Sequence, residues 1–222
     1  SQDDFFNFKV SLTHDSLKQF LNLFGFHSFE ERGIAFYRPI FREALYNIFY
    51  SLFGLNHIPF RILSFSIHFI NIFLIFTLIQ KIFQKKYLSL FVAFFFGISS
   101  SNIATLYYLA GGIQALGATM FILITLICFV SFLETNNIKY VISSFLTFLL
   151  ALGSHELSVT TPILLAGLSF AYFPLKKSMA KIITLIPFFI ILTTYLYLEI
   201  TRIGFSAQEQ QYHISLNIKA LF

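Results

Sequence analysis

Long uncharged runs, broken by short polar clusters, dominate this chain. From Ile62 to Gln80 no Asp, Glu, Lys or Arg occurs over nineteen residues, enough for one membrane span. Lys81, Lys85 and Lys86 close that run. Tyr87 to Leu133 is then uncharged for 47 residues, too long for one helix, so the chain must fold back within it. Gly111-Gly112, with polar Ser99-Ser100-Ser101-Asn102 shortly before, is the expected corner. After the polar break from Glu134 to Lys139, two further apolar runs are split by His155-Glu156. Lys176, Lys177 and Lys181 precede a last run from Ile182 to Leu198. The pattern predicts six spans, near 60–82, 87–106, 112–133, 138–153, 157–174 and 181–200, the fourth of them short.

Residues 1–58 are mixed in character. Within them, Tyr37-Arg38-Pro39 introduces an amphipathic segment. Pro39 suits a first helical turn, where its missing N–H is no loss. Ile40, Phe41, Ala44, Leu45, Ile48, Phe49, Leu52 and Phe53 recur as one apolar stripe, with Arg42, Glu43, Asn47 and Ser51 on the other side. Gly54 stands where a C-terminal cap glycine belongs. A helix over 40–53 is too short to cross a bilayer, so we expect it to lie along the membrane surface. The expected architecture is an all-α, polytopic membrane bundle: an extracytoplasmic loop over 1–58, a membrane domain over 59–203 and an extracytoplasmic segment over 204–222.

Composition supports a membrane setting. The chain is 57% hydrophobic and 11% charged, against roughly 25% charged residues in soluble domains. The net charge of +5 is spread out, with no Lys/Arg cluster interleaved with aromatics, which argues against a nucleic-acid partner. Cys128 is the only cysteine, so no intrachain disulfide forms. The chain starts at Ser1 and stops at Leu221-Phe222, which suggests a fragment lacking membrane helices on both sides. Lys81, Lys85, Lys86, Lys139, Lys176, Lys177 and Lys181 fall on alternate loops of one side, which the positive-inside rule assigns to the cytoplasm. Residues 1–58, His155-Glu156 and the tail from Arg202 then face outside.

The outer face carries the candidate chemistry. Asp3-Asp4 is a carboxylate pair that can divide the roles of general base and orienting group, or is simply a solvated acid pair. Arg38 offers a guanidinium fork suited to phosphate, or is a surface arginine. His155-Glu156 separates two spans, a position where ionisable residues often mark a site; a plain exposed loop is the alternative. Burial there favours neutral forms, whereas a lipid phosphate favours a protonated His155, with Glu156 holding either His155 or Arg38 by a charge-assisted hydrogen bond. Val159 occupies the place a second metalloprotease histidine needs, so that reading is rejected, and no metal site is expected. His68 and Asn71, inside the first span, are expected to bond between helices.

The ordered set Asp3-Asp4-Phe5, Tyr37-Arg38-Pro39-Ile40, Leu52-Phe53-Gly54-Leu55-Asn56, Ala110-Gly111-Gly112-Ile113-Gln114 and Leu152-Gly153-Ser154-His155-Glu156 resembles the GT-C membrane glycosyltransferases. Within them it is most similar to the transmembrane O-mannosyltransferases that carry tetratricopeptide repeats, and to their bacterial relatives. The resemblance implies an enzyme that moves a sugar from a polyprenyl-phosphate carrier, with inversion, onto a protein, lipid or glycan acceptor. It implies a multi-pass protein of a bacterial plasma membrane with its site on the outer face. Asp3 or Asp4 would be the catalytic base. Arg38, His155 and Arg202 would hold the donor phosphate, and Tyr37 and Glu156 would support them. Members often carry Lys-Glu or Lys-Gly where this chain has His155-Glu156. The lipid-linked sugar enters as donor substrate, and the cofactors stay open, a divalent metal among them with no residue pattern in its support. A transporter with a mid-membrane polar site at His155-Glu156, or a non-catalytic scaffold, are the competing classes.

Overall fold

The computed structural model describes residues 2–13, 16–34, 36–172 and 182–203, and all regular structure among them is helical. Short helices α1 (Gln2–Ser11), α2 (Leu17–Asn22) and α3 (Phe29–Arg32) open the chain. A π-helical turn, Pro39–Ala44, then runs into α4 (Leu45–Phe53). The remaining helices are α5 (Ile58–Phe83), α6 (Lys86–Ile98), α7 (Ser100–Tyr107), α8 (Leu109–Thr135), α9 (Ile138–Leu152), α10 (Thr161–Tyr172) and α11 (Ile186–Leu198). A 3₁₀ turn, Glu156–Thr160, leads into α10, and another, Ile183–Leu185, leads into α11, which ends in a π-helical turn, Glu199–Ile203.

Among the described residues three segments are long and apolar enough to cross a membrane: Ile58–Phe83, Leu109–Thr135 and Ile183–Ile203. The 26 residues of α5 reach about 39 Å, beyond the ~30 Å hydrocarbon core. A fourth crossing results if α6 and α7, bent by 46° at Ser99, act as one span. α9 and the 156–172 segment are shorter apolar helices. α8 is the central post, with 61% of its most apolar stretch buried, against 28% for α5 and 22% for the last segment. It packs against α5, α7, α9 and α10. Phe129, Val130, Phe148, Leu165 and Phe188 form the core around it, and Phe41, Tyr46, Phe60, Ile67 and Ile113 form a second core at the other end. Phe65, Phe69 and Phe73 on α5 and Phe91, Phe94 and Phe95 on α6 point outward. So large an exposed apolar surface suits lipid rather than water.

Two sequence expectations are corrected here. Gly111-Gly112 is no corner: α8 runs through both, and the chain turns at Tyr108 instead. The reason is packing. A Cβ on Gly112 would sit 1.8 Å from the Thr105 carbonyl oxygen, so this glycine lets α7 and α8 close on each other. The second span is likewise interrupted at Ser99, where the freed carbonyls are answered by side chains. Asn102 Nδ2 donates to the Phe96 carbonyl at 2.5 Å, and His68 Nε2 lies 3.1 Å from the Gly97 carbonyl. His68 and Asn71 do bond between helices, Asn71 donating to the Leu116 carbonyl at 3.0 Å.

The second correction concerns the amphipathic segment. Helix forms over Pro39–Phe53, and Gly54 closes it at φ 59°. Yet Arg42 and Glu43, expected on its outer polar side, are only 6% and 3% exposed, while Ile48, Leu52 and Phe53 are exposed. The π turn is the cause. Its wider backbone bond, Leu45 N–H to the Ile40 carbonyl, shifts the phase of the residues that follow, so no single stripe survives.

The helices alternate in direction. Lys81 Nζ meets Glu134 at 2.7 Å, and the Tyr172 hydroxyl reaches the Lys81 carbonyl at 3.5 Å. The ends of α5, α8 and α10 therefore lie together at the lysine-bearing end. At the other end Arg61 donates to the Leu106 carbonyl at 2.7 Å, covering the C-terminus of α7. Lys176, Lys177, Lys181 and the 204–222 segment lie outside the described residues.

Candidate functional site

The chain between α3 and the π turn carries Tyr37 and Arg38 to the end of the bundle opposite Lys81. Their placement starts with the backbone. The Ile40 N–H donates to the Gly153 carbonyl at 3.1 Å, docking the π turn onto the C-terminus of α9. Gly153 permits this because a Cβ there would already be 3.0 Å from Ile40 Cδ1. His155 follows in extended conformation (φ −164°) and Glu156 opens the 3₁₀ turn, so both face the docked loop.

Arg38 is the hub. Its Nε donates to Glu156 Oε2 at 2.8 Å and its Nη2 to Glu156 Oε1 at 2.5 Å, a two-pronged pair. Its Nη1 donates to Gln114 Oε1 at 2.8 Å, and its guanidinium lies 5.0 Å over the Phe36 ring. Among the described residues, these bonds take three of the five guanidinium N–H groups. The side chain of Arg38 is 14% exposed and that of Glu156 35%. Burial alone would raise the Glu156 carboxyl, but the Arg38 charge and hydrogen bonds overcome it and hold the group below its ordinary value.

His155 is different. Burial, reinforced by the Arg38 charge and opposed by Glu156, lowers its pKa from 6.5 to about 4, so the imidazole is neutral near pH 7. Its Nδ1 caps the 3₁₀ turn by accepting the Leu157 N–H at 3.3 Å, and Glu156 Oε2 stands 3.3 Å from the same nitrogen. One nitrogen cannot both accept that N–H and carry a proton toward Glu156. The neutral form with the proton on Nε2 satisfies the cap, so the Glu156 contact is not an ion pair. His155 is therefore neutral beside Glu156, as burial there predicts.

Two further shells surround Arg38. Gln114 Nε2 donates to the Ala110 carbonyl, which also accepts from Asn7 Nδ2 at 3.1 Å. α1, whose first turn includes Asp3 and Asp4, is thereby tied to the same end of the bundle; the two aspartate side chains lie outside the described residues. Tyr37 stacks on Phe26 with ring centroids 3.8 Å apart, and its hydroxyl donates to the Phe24 carbonyl at 2.9 Å. Its phenol, pushed up to about 12 by burial and then by Glu43 and Glu199, stays protonated to do so. The Tyr37 N–H donates to Glu199 Oε1 at 3.1 Å.

The structure thus joins Tyr37, Arg38, His155 and Glu156. Arg202 does not join them: it is exposed on the final π turn and makes no hydrogen bond or ion pair with a described residue. Gln114 and Glu199 were missed as site residues. Glu199 had a usable signal, since it is a lone acid at the end of an apolar run, the feature that singled out Glu156. An apolar groove of about 350 Å³ runs beside the cluster, lined by Tyr37, Pro39, Gly153, Thr194, Tyr195 and Leu198 among others. A second cavity of about 210 Å³, lined by Phe5, Phe8, Tyr46, His57 and Phe60, takes no wall from the Arg38 cluster. Among the described residues no three His, Cys, Asp or Glu side chains converge to hold a metal ion.

No family model, curated protein or solved structure matches this chain. Among the described residues the fold is all-helical, with three helices long and apolar enough to cross a membrane.

Proposed function

We propose that this chain is part of an integral-membrane glycosyltransferase that transfers a sugar from a polyprenyl-phosphate-linked donor to an acceptor at the extracytoplasmic face. The observation that carries the reading is Arg38. It is a mostly buried guanidinium, aimed by two bonds to Glu156 and one to Gln114, with two N–H groups that no described residue takes and an apolar groove alongside. A lipid phosphate needs that combination, a fixed donor fork at an interface next to room for hydrocarbon. In this reading the positive-inside rule assigns the end that carries Lys81 to the cytoplasm, and Arg38, at the opposite end, would then face outside. The 40–53 segment would then rest in the interface with Ile48, Leu52 and Phe53 toward lipid.

In this reading Asp3 or Asp4 deprotonates the acceptor hydroxyl while the donor phosphate leaves against Arg38. His155, neutral, supplies an Nε2–H bond until the arriving phosphate raises its proton affinity. Arg202, on the exposed final turn, would join only once donor is bound. The transporter reading asks for a polar pair at mid-membrane, and the location of Arg38–Glu156 at a bundle end, level with α1, favours the enzyme. Binding of polyprenyl phosphate and of uncharged polyprenol to the full-length protein in nanodiscs tests the proposal. The phosphate-bearing lipid should bind at least about tenfold more tightly, near 1.4 kcal/mol, and Arg38→Ala should abolish the preference. Equal binding of the two lipids by the parent protein would remove its basis.

A further inference from the structure

Arg38 is preceded by a peptide unit held from both ends. The Phe36 carbonyl accepts from Arg42 Nη2 at 2.5 Å, and the Tyr37 N–H of the same peptide donates to Glu199 Oε1 at 3.1 Å. A guanidinium thus grips the carbonyl end and a carboxyl grips the amide end. The grip is anchored on both sides. Arg42, 6% exposed, is held by Glu43 Oε1 at 2.9 Å; Glu43 Oε2 is held by Arg32 Nη1 at 2.6 Å; and Arg32 Nη2 donates to the Val10 carbonyl at 2.6 Å. A continuous polar line therefore runs from α1, through peptide 36–37, to the end of α11.

Glu199 is the informative member. Its Oε2 is buried with no hydrogen-bond partner among the described residues, a costly state for a carboxyl oxygen. Its described hydrogen bond is the one to Tyr37. We infer that Arg42 and Glu199 are positioning residues that fix the orientation of peptide 36–37, and so aim Arg38 at Glu156 and at an incoming lipid phosphate. The aim toward phosphate rests on the function proposed above; the clamp on the peptide does not. Through Glu199 the last helix is coupled to the site: moving α11 away releases the Tyr37 amide and lets Arg38 turn.

Two readouts on the full-length protein in nanodiscs separate these claims. The first is amide hydrogen exchange across 36–42 in the parent, Glu199→Ala, Glu199→Gln and Glu199→Asp. Gln keeps an oxygen at the right reach, whereas Asp keeps the charge but is one methylene short. Ala and Asp should exchange at least about tenfold faster in this segment, and Gln should resemble the parent. The second is polyprenyl phosphate affinity, which should weaken about tenfold in Ala and Asp and recover in Gln, with polyprenol binding unchanged. Arg42→Lys, which loses the fork but keeps a cation, should fall between. Unchanged exchange in Ala and Asp, or loss in Gln equal to that in Ala, overturns the clamp. Should Ala fail to fold, the Asp and Gln pair alone decides the matter. If the parent shows no preference for the phosphate lipid, the function proposed above fails while the exchange data still judge the clamp.

Discussion

The pairing of Arg38 with Glu156 makes a quantitative prediction. Exposed ion pairs contribute about 0–1 kcal/mol, while removing one partner of a fully buried pair costs about 3–5 kcal/mol. This pair lies between, with side chains 14% and 35% exposed. Two unit charges about 4 Å apart attract by ~4 kcal/mol at an effective dielectric of 20. Desolvation of Glu156, which on its own raises its proton affinity, cancels part of that. A net coupling near 2 kcal/mol is the expected remainder, in line with about 1.5–3 kcal/mol for a hydrogen bond to a charged group. The assay is a double-mutant cycle on Arg38→Ala, Glu156→Ala and the double variant, each unfolded reversibly in mixed micelles at two salt concentrations. Coupling near 2 kcal/mol that hardly weakens with salt supports a preorganised pair. Coupling below about 0.5 kcal/mol, or coupling lost in high salt, would refute the reasoning, because Arg38 would then be a solvent-screened surface arginine.

Other consequences follow from single residues. Gly112→Ala should destabilise the protein by at least about 1–3 kcal/mol, since its Cβ would meet the Thr105 carbonyl at 1.8 Å and force α7 off α8; unchanged thermal stability in detergent would contradict the close approach. His155 titrates in the folded protein at about 4, below its ordinary 6.5, so the unfolded chain takes up protons that the folded chain resists. Its contribution is therefore neutral above about pH 6.5 and becomes destabilising as pH falls toward 4, by up to about 3 kcal/mol. His155→Asn, which can still cap the turn, should remove that slope in pH-dependent unfolding, while the loss below about pH 4.3 from protonating Glu156 persists. In a Cys128→Ser background, Asn56→Cys should label from outside intact cells and Lys85→Cys should not; the reverse pattern would place Arg38 on the cytoplasmic side.

Much of the helical frame was readable because uncharged runs are a strong physical signal. The first run predicted a span over 60–82, and α5 covers Ile58–Phe83. His68 and Asn71 were readable for the same reason, as polar groups in such a helix need partners on its neighbours. What escaped depended on close approach or on distant residues. Gly112 reads as a corner in sequence, and only the proximity of the Thr105 carbonyl shows it to be a packing point. Arg42 and Glu43 read as an outer face, because one π turn shifts the phase and because Arg32, which neutralises Glu43, lies ten residues before Arg42 with no periodic link to it. Gln114 lay within a quoted motif, yet its bond to Arg38 spans 76 positions, which no local pattern encodes. The role of Tyr37 was legible only as a neighbour of Arg38; the hydrogen bond from its backbone N–H to Glu199 joins residues 162 apart.

Sugar transfer is the central claim, and turnover in sealed, right-side-out vesicles tests it most directly. The full-length protein is supplied from outside with polyprenyl-phosphate-linked sugars and a mixture of acceptors, and release of free polyprenyl phosphate is followed. The parent should release it together with a glycosylated acceptor. Asp3→Asn or Asp4→Asn should lower the rate by about 10²–10⁴-fold, the usual general-base contribution, in protein that remains folded. Arg38→Ala should weaken donor use while leaving acceptor dependence largely intact. Parent protein that releases no polyprenyl phosphate from any donor, or an Arg38→Ala variant and an Asp3→Asn, Asp4→Asn double variant that turn over at the parent rate, would contradict the assignment.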